Sequence, residues 1–189
     1  MKAKRFILPF AAVLGVSLFS ASGTYAEENV SHTTGVEVST QPSVEEYDGD
    51  GNLIKSYSQE EIEKIFLNKS VNTGDKVNAS GDVSAQATST YKSIPTTIKD
   101  NVNVKGGAYF PNPGYVLIDP IGKVPHIIIR AYNSSGKVSE THLKNFYGSV
   151  SVPYTNLARG KSYRFNLANG SPSSGAIYLD FVQVGYNYN

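Results

Sequence analysis

HIIIRAYNSSGKVSETHL, residues 126–143, decides the fold. The run His126–Tyr132 is dense in β-branched residues, whose stiff side chains suit a pleated surface better than a helix. Asn133-Ser134-Ser135-Gly136 then turns the chain, and Val138–Leu143 returns beside the first run, so the stretch predicts an antiparallel hairpin.

The same texture extends outward. Upstream, Val102 and Val104 alternate before Gly106-Gly107, and Tyr115–Ile118 is a short apolar run between Pro-Gly and Asp-Pro. Downstream, Ser149–Val152 alternate, Tyr163, Phe165 and Leu167 alternate with Arg164 and Asn166, and Ala176–Tyr188 closes with a long strand pattern. Short strands separated by Gly, Pro, Asn and Ser indicate an all-β antiparallel sandwich or barrel over residues 93–189. No helix-length amphipathic segment lies between the strands, which excludes a parallel sheet built on helical crossovers. Nine of the 13 Tyr fall in this region.

The first 26 residues have a different character. Lys2, Lys4 and Arg5 precede an apolar run, Phe6–Phe19, and a small, polar stretch ending Thr24-Tyr25-Ala26. That is the anatomy of a secretory signal peptide cut between Ala26 and Glu27. The apolar run is short of the roughly 20 residues of a spanning helix, so no transmembrane anchor is expected in the mature form. The chain has no Cys, which rules out thiolate metal sites, cysteine nucleophiles and a lipidated thiol, and fits a bacterial exported protein better than a disulfide-built secreted domain. The expected location is extracellular.

Losing the leader and its three positive charges takes the formal net charge from +1 to −2 and leaves 163 residues. The remainder is split: residues 27–92 carry twelve Asp/Glu against five Lys, and residues 93–189 nine Lys/Arg against four Asp/Glu. The acidic front reads as a largely disordered segment or pro-region. Within it, residues 47–57 form a small hairpin around Asp50-Gly51. Residues 59–68 form one short helix, capped by Ser58 with Glu61 at N3 and with Ile62, Ile65 and Phe66 on one face. So short a helix is not stable alone and must dock on something. Residues 69–92 read as a linker.

Five constellations bear on chemistry. Glu46, Asp48, Asp50 and Gly51 partly match a calcium loop, but Tyr57 stands where the bidentate Glu belongs, so a solvated Asp-Gly turn is the simpler reading and no metal site is expected. Glu140 and Asp180 are the only strand carboxylates of the β-domain that could flank a glycosidase cleft. His126 and His142 open and close the two hairpin strands and can approach each other, but two ligands make an incomplete zinc set. There is no serine-nucleophile elbow, no HExxH and no phosphate-binding glycine loop, so no catalytic residues, no nucleotide partner and no cofactor are expected.

The last strand places Tyr178, Asp180, Tyr186 and Tyr188 on one face if its alternation is unbroken. Such a face is either an aromatic platform for sugars or a partner surface, or one buried side of a central strand. The basic set Arg130, Lys144, Arg159, Lys161 and Arg164 suits an anionic polymer or surface, or is ordinary solvated charge. The resulting expectation is a secreted bacterial, non-enzymatic β-sandwich that binds wall polymer, polysaccharide or another anionic surface through Tyr178, Asp180, Tyr186, Tyr188, Arg130 and Arg164. The alternatives are a processed precursor, whose acidic pro-region silences a basic antimicrobial or membrane-active domain, and a small extracellular hydrolase using Glu140 and Asp180.

Overall fold

A computed structural model describes residues 40–67 and 89–187, all within the unit Val38–Asn189. The expected signal peptide with its expected cut between Ala26 and Glu27, Tyr188 and most of the 69–92 stretch lie outside the described residues. Twelve strands are formed: β1 (Ser43–Asp48), β2 (Leu53–Ser56), β3 (Ser89–Lys92), β4 (Thr96–Ile98), β5 (Asn101–Asn103), β6 (Phe110–Pro111), β7 (Tyr115–Pro120), β8 (Lys123–Asn133), β9 (Gly136–Tyr147), β10 (Val150–Pro153), β11 (Ser162–Asn169) and β12 (Ile177–Tyr186). The larger sheet runs β2-β1-β9-β8-β11-β5, with β6 also on β11. The smaller runs β10-β7-β12-β3, with β4 also on β12. Every pairing is antiparallel, and the fold is the expected sandwich.

The hairpin that anchors the fold is β8–β9. Its turn is closed by the Asn133 side chain, whose Oδ1 accepts from the Ser135 and Gly136 amides at 2.8 and 3.1 Å, an Asx arrangement that substitutes for backbone pairing. Ile127, Ile129 and Leu143 point inward with Tyr163, Phe165 and Leu167 of β11, and meet Val116, Ile118, Leu179, Val182 and Val184 from the small sheet in one continuous core.

The acidic front is not a separate unit. β1 pairs with β9 from Ser43↔Lys144 to Asp48↔Ser139, so the hairpin is the edge of the large sheet. Its turn is held by Asp48, whose Oδ1 accepts from the Asp50 and Asn52 amides at 3.0 and 2.8 Å; the calcium-loop match is thus occupied by turn chemistry. The Ser58–Glu61 capping box is present and starts α1 (Gln59–Glu61). The helix continues as a π-helical turn (Ile62–Phe66), closed by Leu67 N–H donating to the Ile62 carbonyl at 3.1 Å. The wider turn brings Ile62 and Phe66, four apart, fully into the core. The docking that so short a helix needs is therefore onto the sandwich, and the boundary expected at residue 93 falls inside it. The last four residues of the expected linker, 89–92, are β3 and pair with Gln183–Tyr186. The acidic composition read as a largely disordered segment; instead Val44 of β1 is buried in the core and Tyr57, just past β2, packs partly buried against it.

Among the described residues, no helix is long and apolar enough to cross a membrane.

Candidate ligand-binding face

The outer face of the large sheet collects what the pleat turns away from the core. On β8 the outward set is His126, Arg130 and Tyr132, alternating with buried Ile127, Ile129 and Ala131; on β9 it is Glu140, His142 and Lys144, alternating with Ser139, Thr141 and Leu143. Register then builds a row across four strands: Glu140 stands opposite Arg130, Arg130 opposite Asn166, and Asn166 opposite Asn103. Beside it, Tyr132 stands opposite Arg164.

Arg130, Arg164, Tyr132, Asn101, Asn103 and Asn166 line one groove of about 280 Å³. Asn166 forms its floor, its Nδ2 donating to Asn103 Oδ1 at 3.0 Å, Asn101 Oδ1 at 3.2 Å and the Val102 carbonyl at 3.3 Å. These bonds fix the amides in place. The Arg164 guanidinium lies over the Tyr132 ring at 4.6 Å, a cation–π contact that orients the guanidinium without neutralising it. Among the described residues Arg164 has no carboxylate partner. A planar guanidinium with open donors matches carboxylate, sulfate or phosphate oxygens, and fixed amides match hydroxyls.

Glu140 organises the far side of Arg130. Its Oε1 accepts from Arg130 Nε at 3.1 Å and Lys137 Nζ at 2.8 Å, and its Oε2 lies 3.2 Å from His142 Nε2. Burial works against its charge, but hydrogen bonds from Lys137 and His142 and the charges of Lys137 and Arg130 outweigh it and hold the carboxyl at about 2. A depressed carboxylate stabilises the fold above its unfolded value of 4.5, and that stability is lost as pH falls from there toward 2. After solvent screening the expected loss is about 1–2 kcal/mol. Wild type should therefore lose melting temperature more steeply than Glu140→Gln across this window, and parallel acid melts in the two would count against the network.

His126 and His142 do meet, Nε2 to Nδ1 at 3.2 Å. Burial first, then the charges of His142 and Lys144, press the His126 imidazole below its ordinary range. Next to them Lys144 Nζ holds Glu45 Oε2 at 2.7 Å, with the Tyr47 hydroxyl donating to the same oxygen at 3.0 Å. The Lys144 hydrogen bond, against the opposing effect of burial, lowers the Glu45 carboxyl.

Three expected arrangements are not assembled. The Tyr platform fails because β12 carries a bulge between Leu179 and Phe181. Before it, the odd residues Ile177 and Leu179 face the core; after it, the even residues Val182, Val184 and Tyr186 do. Tyr178 and Asp180 are exposed, whereas Tyr186 is only 9% exposed, its ring 5.4 Å from that of Phe110. The glycosidase pair fails because Glu140 faces outward from the large sheet and Asp180 from the small one, with the core between them. The basic set is split: Arg130 and Arg164 share the groove, Lys144 is spent on Glu45, and Arg159 donates to the Pro113 carbonyl at 3.4 Å.

The sequence reading found the two arginines but missed Asn101, Asn103, Asn166 and Tyr132. The available signal was Asn placed on alternate positions of strand patterns, NVN at 101–103 and FNL at 165–167. Asn is depleted in strands, so its recurrence there marks side chains kept for hydrogen bonding. Compared with protein-family models, curated proteins and solved structures, the chain matches none.

Proposed function

We propose that this is an exported bacterial, non-enzymatic binding protein whose β-sandwich takes an anionic polymer of the cell surface or surrounding matrix into the groove of β5, β11 and β8. The observation that carries this reading is the convergence of Arg130 and Arg164 with three asparagines and Tyr132 in one depression. Guanidinium groups supply attraction for acidic units; the amides supply contacts to hydroxyls; a repeating polymer engages many copies of the protein at once. Binding rather than turnover is favoured because Glu140, the carboxylate at the groove's edge, is committed to three basic partners and is too acidic to deliver a proton near neutral pH. Export rests on the leader at residues 1–26.

Co-sedimentation with a purified polyol-phosphate wall polymer, a polyuronate and an uncharged glucan tests the proposal. Retention is expected on the two anionic polymers, falling as salt rises. Arg164→Ala should weaken it by about tenfold, the loss of one charge-assisted contact, with the melting temperature unchanged. Equal retention on the uncharged glucan, or an Arg164→Ala protein that binds as wild type does, would overturn the assignment.

A further inference from the structure

The groove of β5, β8 and β11 holds an acceptor with no donor. The Val102 carbonyl can only accept, so the Asn166 side-chain atom 3.3 Å from it is the amino nitrogen, Nδ2. The Asn103 and Asn101 atoms that lie 3.0 and 3.2 Å from that nitrogen are therefore their oxygens, since two amino groups facing each other would repel. The orientation of all three amides follows. Asn166 Oδ1 and the amino groups of Asn101 and Asn103 are left without a hydrogen-bond partner among the described residues. Asn166 is only 8% exposed, yet its Oδ1 is not sealed in: among the described residues, the unpartnered polar side-chain atoms closed off from solvent are Ser139 Oγ and the Tyr154 hydroxyl. Its opening is the groove that Asn166 lines. A nearly buried acceptor costs stability unless a donor reaches it.

Register fixes how far that acceptor lies from the charge. Asn166 stands opposite Arg130, about 5 Å away between backbones, and two positions along β11 from Arg164, about 7 Å. A donor on Asn166 and an acidic group at the guanidiniums must therefore belong to one unit the size of a monosaccharide or a short polyol. Resting on the anionic-polymer reading of this groove, we propose that it selects polymers whose acidic units each carry a free hydroxyl. Asn166 Oδ1 is the atom that reads the hydroxyl, and the Asn101 and Asn103 amino groups donate to neighbouring oxygens of the same unit. Uronic acids and polyol phosphates meet this requirement. Polyanions without a hydrogen-bond donor do not, because they satisfy the arginines and leave the floor of the groove unpaired.

Retention of the mature chain on polymer-coated beads at physiological ionic strength tests this. The polymers are a polyol phosphate, a polyuronate, the same polyuronate O-acetylated, and polyacrylate, which bears carboxylates and no hydrogen-bond donor. Wild type is expected to hold the first two, the tighter of them identifying the acid. It should hold the acetylated polyuronate and polyacrylate about tenfold more weakly, the effect of one buried acceptor left unpaired. Asn166→Ala should bind the polyuronate and its acetylated form alike, whereas Arg164→Ala should weaken both and keep their ratio. Equal retention of the two forms by wild type, with Arg164→Ala weakening both, overturns the hydroxyl selection and leaves the anionic-polymer reading standing. No retention on any of the four polymers overturns both. Discrimination that survives in a folded Asn166→Ala protein takes the role away from Asn166. Should that variant fail to fold, the two polyuronate forms measured on wild type decide the selection.

Discussion

Phe66→Ala is expected to lower the free energy of unfolding by about 3–5 kcal/mol, the range for truncating a buried phenylalanine. Phe66 is fully buried, edge-on to the Tyr57 ring at 4.8 Å, and lies in the same core cluster as Ile62, Val152 and Tyr154. Its place depends on a chain of local decisions. The Ser58 cap starts the helix, the π-turn widens it, and Tyr57 N–H donating to the Val44 carbonyl at 3.0 Å ties its approach to the hairpin. A cavity at Phe66 cannot be filled from the solvent side without unwinding that turn. Urea denaturation of the mature protein gives the number; a cost below about 1 kcal/mol would mean that the helix does not fill the core in solution.

The second large effect concerns the chain beginning at residue 93. Expressed alone it should show no cooperative unfolding transition and should expose apolar surface to a hydrophobic dye. It lacks β1, β2, α1 with its π-turn, and β3, and with them Val44, Tyr57, Ile62, Phe66 and Tyr91 from the core. Deleting several large core side chains together exceeds the 5–15 kcal/mol by which domains are stable. The same experiment addresses the processed-precursor alternative: a cut near residue 90 would release a domain without part of its interior. A sharp, native-like transition in the 93–189 fragment would restore that alternative and remove the argument against it.

Much of this architecture is written locally. The β8–β9 hairpin, its Asn133 turn, the capping box at Ser58 and the alternation of β11 are each decided by residues within a few positions of one another, and each forms as its pattern dictates. What escaped was decided at a distance. Nothing within residues 43–66 tells that β9 lies open to receive β1: Ile62 and Phe66 were legible as a face that must dock, but not on what, and an acidic composition outweighed the inward position at Val44. In β12 a strict period of two put Tyr186 outside; the sequence does hold the correction, because Leu179 and Val182 both demand burial and cannot both be served without an extra residue between them. Of the candidate site, the arginines were legible as charge. The groove was not, because it is a product of register: Arg130, Asn166 and Asn103 are neighbours only once three strands are aligned.

β9 is twelve residues long, and β1 covers it from Ser139 to Lys144. Outermost is β2, four residues with every side chain exposed, one of them Lys55 paired with Glu61 at 2.9 Å. Its outer border is short, with one charged side chain beside the exposed Leu53 and Ile54, and shortness is one of the ways sheet edges limit further strand pairing. Without the hairpin, the long edge of β9 would offer its unpaired amides and carbonyls to any passing β-strand. The acidic front of the chain thus caps the β9 side of the large sheet, closing the hydrogen-bonding edge that β9 would otherwise leave open between Ser139 and Lys144.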